Sequence, residues 1–167
     1  MHRRAFIRTT GAILGTSALV SSTTGARREG YLPNGKVSHS IVTPFPNDDR
    51  TVPAGDWLVH RVGWVDEGET AREDIDHFLQ AVDLDAWIDG ERVGDEARFW
   101  REPYVVSEGE NAGQWAIWWK YATPPKGVGE HSFRVVFTFE EDHEGLPAGS
   151  EFPLDGGYVV EPRQGGP

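Results

Sequence analysis

The chain has 167 residues, no cysteine, and 27 acidic against 16 basic residues, for a formal net charge of -11. That length suits one domain, and the missing cysteine excludes disulfides, thiolate nucleophiles, thiolate metal sites and thioether-linked lipid anchors. So acidic a chain is also a poor nucleic-acid binder, because a phosphate backbone would repel it.

The first 26 residues read as an address label. Arg3, Arg4 and Arg8 precede a short apolar stretch from Gly11 to Val20, and small residues follow, ending Thr24-Gly25-Ala26. A charged start, a short apolar core and a small-residue site describe a secretory signal peptide cleaved after Ala26. Ten or so apolar residues span only ~15 Å as a helix, too little for a bilayer core of ~30 Å, so no permanent membrane span is expected. At Arg3-Arg4-Ala5-Phe6-Ile7-Arg8 the sequence resembles the twin-arginine (Tat) export signal. The resemblance rests on Arg3, Arg4, Phe6 and Arg8, while His2 stands where the pattern favours Ser or Thr. It implies folding before export, the Tat translocase as a partner in transit, and a final location outside the cell or on its surface.

Removing those three arginines and no acids takes the formal charge from -11 to -14. Only Lys36, Lys120 and Lys126 are lysines; the other basic residues are arginines. An acid-rich, lysine-poor surface is one that concentrated salt tolerates by screening its self-repulsion. In this the chain resembles haloarchaeal proteins.

From residue 27 to 56 the punctuation of Pro33, Pro44, Pro46, Pro53 and several glycines predicts an irregular arm with at most one edge strand, Lys36 to Val42. The ordered domain is expected over 57–161, before a tail at 162–167. Trp57 to Val65 reads as a strand with Leu58, Val62 and Trp64 on one face. Thr70-Ala71-Arg72-Glu73 fits a capping box, and Ile75, Phe78, Leu79 and Val82 follow at helical spacing, so a short helix is predicted at about 71–80.

Val82, Leu84, Ala86 and Ile88 then alternate with Asp83, Asp85 and Trp87 up to Asp89-Gly90, a pair suited to a type I′ hairpin turn. A helical turn near Asp95 to Trp100 and a short strand at Glu102 to Val106 follow. In Gln114 to Tyr121, the residues Trp115, Ile117, Trp119 and Tyr121 share a face opposite Ala116, Trp118 and Lys120. In His131 to Phe139, the residues Phe133, Val135, Phe137 and Phe139 share another, and a last short strand is expected at Gly157 to Glu161. About seven strands with turn signals between them predict an all-β, Ig-like two-sheet antiparallel sandwich carrying one short helix. The order from Asp89-Gly90 through Phe99-Trp100 and Trp115 to Tyr121 to Phe133 resembles secreted β-sandwich modules of archaea and bacteria. That resemblance implies a fold and no mechanism.

Candidate chemistry is sparse. All seven tryptophans fall within Trp57 to Trp119, where they can fill a core or form platforms for sugar rings. Alternation turns Trp87 and Trp118 outward, the latter beside Lys120, and these three form the candidate ligand platform. His39, His60, His77, His131 and His143 show no metal-site spacing, although His60 and His131 could meet across a sheet beside carboxylates. The runs Glu73 to Asp76 and Glu140 to Glu144 read as solvated acidic faces. Neither a G-x-S-x-G nucleophile motif nor a glycine-rich phosphate loop is present. No catalytic residue, metal ligand or cofactor is therefore assigned.

The expectation is a non-enzymatic, exported binding or accessory module at the outer cell surface, with a protein or glycan partner. The alternatives are a small secreted enzyme, metal-dependent or glycan-acting, and a structural protein of the cell envelope.

Overall fold

The computed structural model describes residues 28–45, 50–65, 72–143 and 145–163. The export signal and its cleavage site lie outside these residues, as do Thr70 and Ala71 of the capping box. Nine strands form two sheets: β1 His39–Val42, β2 Arg50–Pro53, β3 Trp57–Val65, β4 Val82–Ile88, β5 Glu91–Arg92, β6 Tyr104–Val105, β7 Trp115–Thr123, β8 Gly129–Phe139 and β9 Glu151–Glu161. One helix, α1 (Arg72–Ala81), and a 3₁₀ turn, Glu96–Phe99, complete the described elements.

The first sheet has the order β1-β3-β7-β6 and the second β2-β9-β8-β4-β5. Taking β2 and β5 as added edges, first, second, fifth and fourth strands form one layer, and third, sixth and seventh the other. That is the Ig-like arrangement, so the expected sandwich is present. Two details differ from the expectation. The described residues form nine strands rather than about seven, and each sheet is mixed, because β1 pairs parallel with β3 and β2 parallel with β9. The first of these pairs follows from the path of the chain, which leaves β1 in the first sheet, enters β2 in the second, and turns back into β3. Two reversals leave β1 and β3 running the same way. The segment expected to be an irregular arm thus supplies an edge strand to each sheet.

Period-two alternation fills the space between the layers. Leu58, His60 and Val62 of β3 and Ile117, Trp119 and Tyr121 of β7 face Leu84, Ala86 and Ile88 of β4 and Phe133, Val135, Phe137 and Phe139 of β8. Trp115 is only half-buried at the margin of this core. The helix closes one end with Ile75, Phe78 and Ala81 buried, and Phe78 stacks on Trp64 at 4.6 Å. At the opposite end Asp89 and Gly90 both take positive φ, 52° and 79°, as the type I′ hairpin requires. The Asp89 carboxylate accepts hydrogen bonds from the Ser132 N–H at 3.0 Å, from Lys126 at 2.9 Å and from the His131 ring at 3.0 Å, tying this turn to the start of β8. Burial acts to raise the Asp89 pKa, but these three donors outweigh it and hold the group down at about 2.

Candidate functional site

The two sheets differ sharply in charge. Not one Asp or Glu occurs in the four strands of the first sheet, whose charged side chains are Arg61 and Lys120. The strands of the second carry Asp83, Asp85, Glu91, Glu130, Glu151, Asp155 and Glu161. In a chain with 27 acids, the four strands of one layer hold no carboxylate.

On that layer, alternation places Arg61 and Gly63 of β3 and Trp118 and Lys120 of β7 on the outer face. The register makes them cross-strand partners, Arg61 opposite Lys120 and Gly63 opposite Trp118. Glycine is required there: a Cβ built on Gly63 would sit 2.3 Å from a carbon of the Trp118 ring. The indole therefore lies directly on the β3 backbone, with the Arg61 guanidinium over the ring at 4.4 Å from its centroid. The indole N–H donates to the Tyr104 hydroxyl on β6 at 2.5 Å. Ring, backbone, hydroxyl and cation form one packed unit, in which the cation–π contact stabilises the guanidinium without neutralising it.

Beside it, Lys120 makes no side-chain hydrogen bond or ion pair among the described residues, and the Arg61 Nε is buried without a hydrogen-bond partner. Arg101 donates from its side chain to the Lys120 carbonyl at 3.0 Å and lies over Tyr31, extending the charge past the far edge of β7. At the opposite edge Arg50 donates to the Ile41 carbonyl at 2.7 Å. Partial burial, then the neighbouring Arg61 and Arg101, pull the Lys120 pKa down; burial, then Arg50, does the same to Arg61. Like charges directly opposite on adjacent strands cost a few tenths of a kcal/mol up to about 1 kcal/mol. Among the described residues no ion pair to an acid offsets this cost.

Trp87 lies elsewhere. It points outward from β4 in the second sheet, on the other side of the sandwich, so the structure does not join it to Trp118 and Lys120 in one platform. Arg134 lies over Trp87 at 5.7 Å but is paired with Asp155 at 3.6 Å, and the adjoining groove of about 540 Å³ sits on the acidic layer. Arg61 was missed at the sequence level. Alternation signals it, since a face bearing Leu58, Val62 and Trp64 leaves Arg61 on the other.

Four of the five histidines beyond residue 26 pack against named partners. His60 is fully buried; its Nδ1–H donates to the Tyr121 carbonyl at 3.3 Å and its Nε2 accepts from the Tyr158 hydroxyl at 3.3 Å. Burial holds its pKa at about 3. His131 stacks on the opposite partner, Tyr158, at 5.4 Å, so a tyrosine ring stands between the two histidines proposed to meet. His77 and His143 approach with ring nitrogens 3.3 Å apart. Among the described residues no three His, Asp or Glu converge on a common point. The acidic residues Glu73, Asp76, Glu140, Glu141 and Asp142 are exposed.

Comparison with known proteins adds distant likenesses of fold. No family model matches the chain, and no curated protein matches it. Among solved structures, the chain is similar to the cysteine protease inhibitor EhICP2 from Entamoeba histolytica, at 9% identity and TM-score 0.32, covering 74% of this chain and 96% of that one. Amebosin matches at 13% identity and TM-score 0.27, covering 74% and 98%. PbICP-C, solved in complex with falcipain-2, matches at 9% identity and TM-score 0.30, covering 78% and 96%. At these scores the likenesses carry no argument about function. No described helix is long and apolar enough to cross a membrane.

Proposed function

We propose that this is a non-enzymatic binding module, exported through the Tat route and held at the outer cell surface by the outer face of its first sheet. One observation carries the reading: a half-buried cluster of Arg61, Lys120 and Arg101, braced by Trp118 and Tyr104, on a sheet whose strands hold no carboxylate within a strongly acidic chain. Unpaired cations held on an aromatic and backbone floor are groups placed to meet something outside the molecule. The site offers no nucleophile beside a base and no paired carboxylates, so its chemistry is recognition.

Export is the part of the proposal that rests on Arg3, Arg4, Phe6 and Arg8. Replacing Arg3 and Arg4 together by lysine is expected to leave the protein inside the cell; unchanged secretion refutes the route. Retention is tested separately by fractionating cells that express the exported protein. The native chain is expected to sediment with the envelope, and the Arg61→Gln, Lys120→Gln double variant to pass into the medium. Equal retention of the two removes this face from the function.

A further inference from the structure

Three cations lie in a row that crosses the strands of the first sheet. Arg61 and Lys120 are direct partners on β3 and β7, and Arg101 ends the row against the Lys120 carbonyl. With strands ~4.8 Å apart, the row runs for about 10 Å. A single small anion could satisfy two of these groups; only a chain with charge repeated along its length meets them all.

What kind of chain follows from the rest of the face. Backbone N–H and C=O groups of β3 and β7 are spent on their ladder, which leaves none for a peptide laid across it. An acidic peptide there would bring its own main-chain donors and acceptors to a surface that cannot pair them. A sugar polymer brings no such groups, and its hydroxyls can stay in water. A neutral sugar is disfavoured as well, because the Trp118 ring it would stack on is already occupied by backbone and guanidinium. Arg61 presents a planar fork of donors that suits a planar carboxylate, which can take two parallel N–H bonds.

We infer that the occupant of this face is a carboxylated polysaccharide lying across the strands, its carboxylates spaced along the row from Arg61 through Lys120 to Arg101. The inference rests on the binding face proposed above and names its ligand class. Because Arg61 and Lys120 are half-buried, contact pairs with them persist at ionic strengths that screen the remaining charge of the molecule.

The test is calorimetric titration of the full chain in about 1 M salt, where the screening length is ~3 Å, against four polymers: polygalacturonate, dextran sulfate, neutral dextran and polyglutamate. Polygalacturonate is expected to bind, and Arg61→Gln with Lys120→Gln to weaken it at least tenfold while the melting temperature holds. Arg134→Gln on the opposite sheet is expected to leave binding unchanged. Dextran binding as tightly as polygalacturonate, still sensitive to Arg61→Gln, would keep the face and overturn the anionic ligand. Preference for dextran sulfate overturns the carboxylate, and preference for polyglutamate overturns the polysaccharide. Self-association abolished by Arg61→Gln would instead identify the acidic sheet of a second copy as the occupant. Failure to bind any charged polymer, together with envelope retention unaffected by Arg61→Gln and Lys120→Gln, overturns both the ligand and the face.

Discussion

Trp118 and Gly63 are direct partners across the β3–β7 ladder, and the indole occupies the space in which any side chain at position 63 would begin. Gly63→Ala must therefore displace the ring, and with it the floor beneath Arg61. Overpacking of this kind costs ~1–3 kcal/mol. The expected result is a lower melting temperature and altered tryptophan fluorescence, together with loss of ligand binding. A variant that melts and fluoresces like the native protein would show that the ring is not held against β3.

His60 makes stability depend on pH in a defined window. Its pKa is about 3 in the folded state against an ordinary 6.5, so between these values the unfolded chain binds a proton that the folded chain excludes. Stability then rises with pH, by up to about 1.4 kcal/mol per unit, and falls as pH drops from 6.5 towards 3. Asp89, held at about 2 against 3.8, loses its contribution in the same direction but only below about pH 4. Urea midpoints measured from pH 7 to pH 2 should thus fall in two stages. His60→Gln is expected to flatten the upper stage and Asp89→Asn the lower; an upper stage unchanged in His60→Gln assigns it to another group.

Asp56 clamps the edge of the sandwich at a place where sequence separation is large. Its carboxylate accepts from Ser38 at 2.6 Å and Ser40 at 2.8 Å, and it pairs with Arg163, so one buried acid joins the start of β1, the β2–β3 turn and the residues after β9. The Ser38 hydrogen bond is the largest of the influences holding its pKa down, ahead of an opposing burial effect. Asp56→Ala leaves two hydroxyls and a guanidinium without their acceptor and is expected to cost ~1–3 kcal/mol. Hydrogen exchange should show where: the amides of β1 and β2 lose protection, while those of β4 and β8 keep theirs. Uniform loss across both sheets would mean the clamp supports the whole fold.

Local rules reached some of this molecule and missed the rest for physical reasons. The helix is read one residue from its observed bounds because its stripe of Ile75 and Phe78 is strongly periodic, and the Asp89-Gly90 hairpin because its turn chemistry is specific. Strand β2 and the first half of β9 were invisible: Pro53, Pro153, Asp155 and Gly156 suppress strand propensity, and long-range pairing holds both segments, β2 against the second half of β9 and the first half of β9 against β8. Alternation turned Trp87 and Trp118 outward correctly, but it says nothing about which sheet a strand joins. The opposition of Arg61 and Lys120 needs the β3–β7 register, which depends on how the two inner faces pack. What could have been read directly is that the segments Trp57 to Val65 and Trp115 to Thr123 hold no acid at all.

The same asymmetry bears on salt. On the second sheet Arg92 and Arg134 pair with Asp85 and Asp155, while Asp83, Glu130 and Glu151 add further negative charge to that layer. Screening shortens from ~10 Å at 0.1 M to ~3 Å at 1 M, so mutual repulsion across this sheet is large in dilute buffer and small in brine. We expect the melting temperature to rise between about 0.1 and 3 M KCl, and the rise to shrink in the Asp83→Asn, Glu130→Gln, Glu151→Gln variant through a gain of a few °C at the low-salt end. Arg61→Gln, which removes a cation from the sheet whose strands hold no carboxylate, should leave the slope nearly as it is. A melting temperature independent of KCl would reject the account, because repulsion strong enough to matter cannot be indifferent to its own screening.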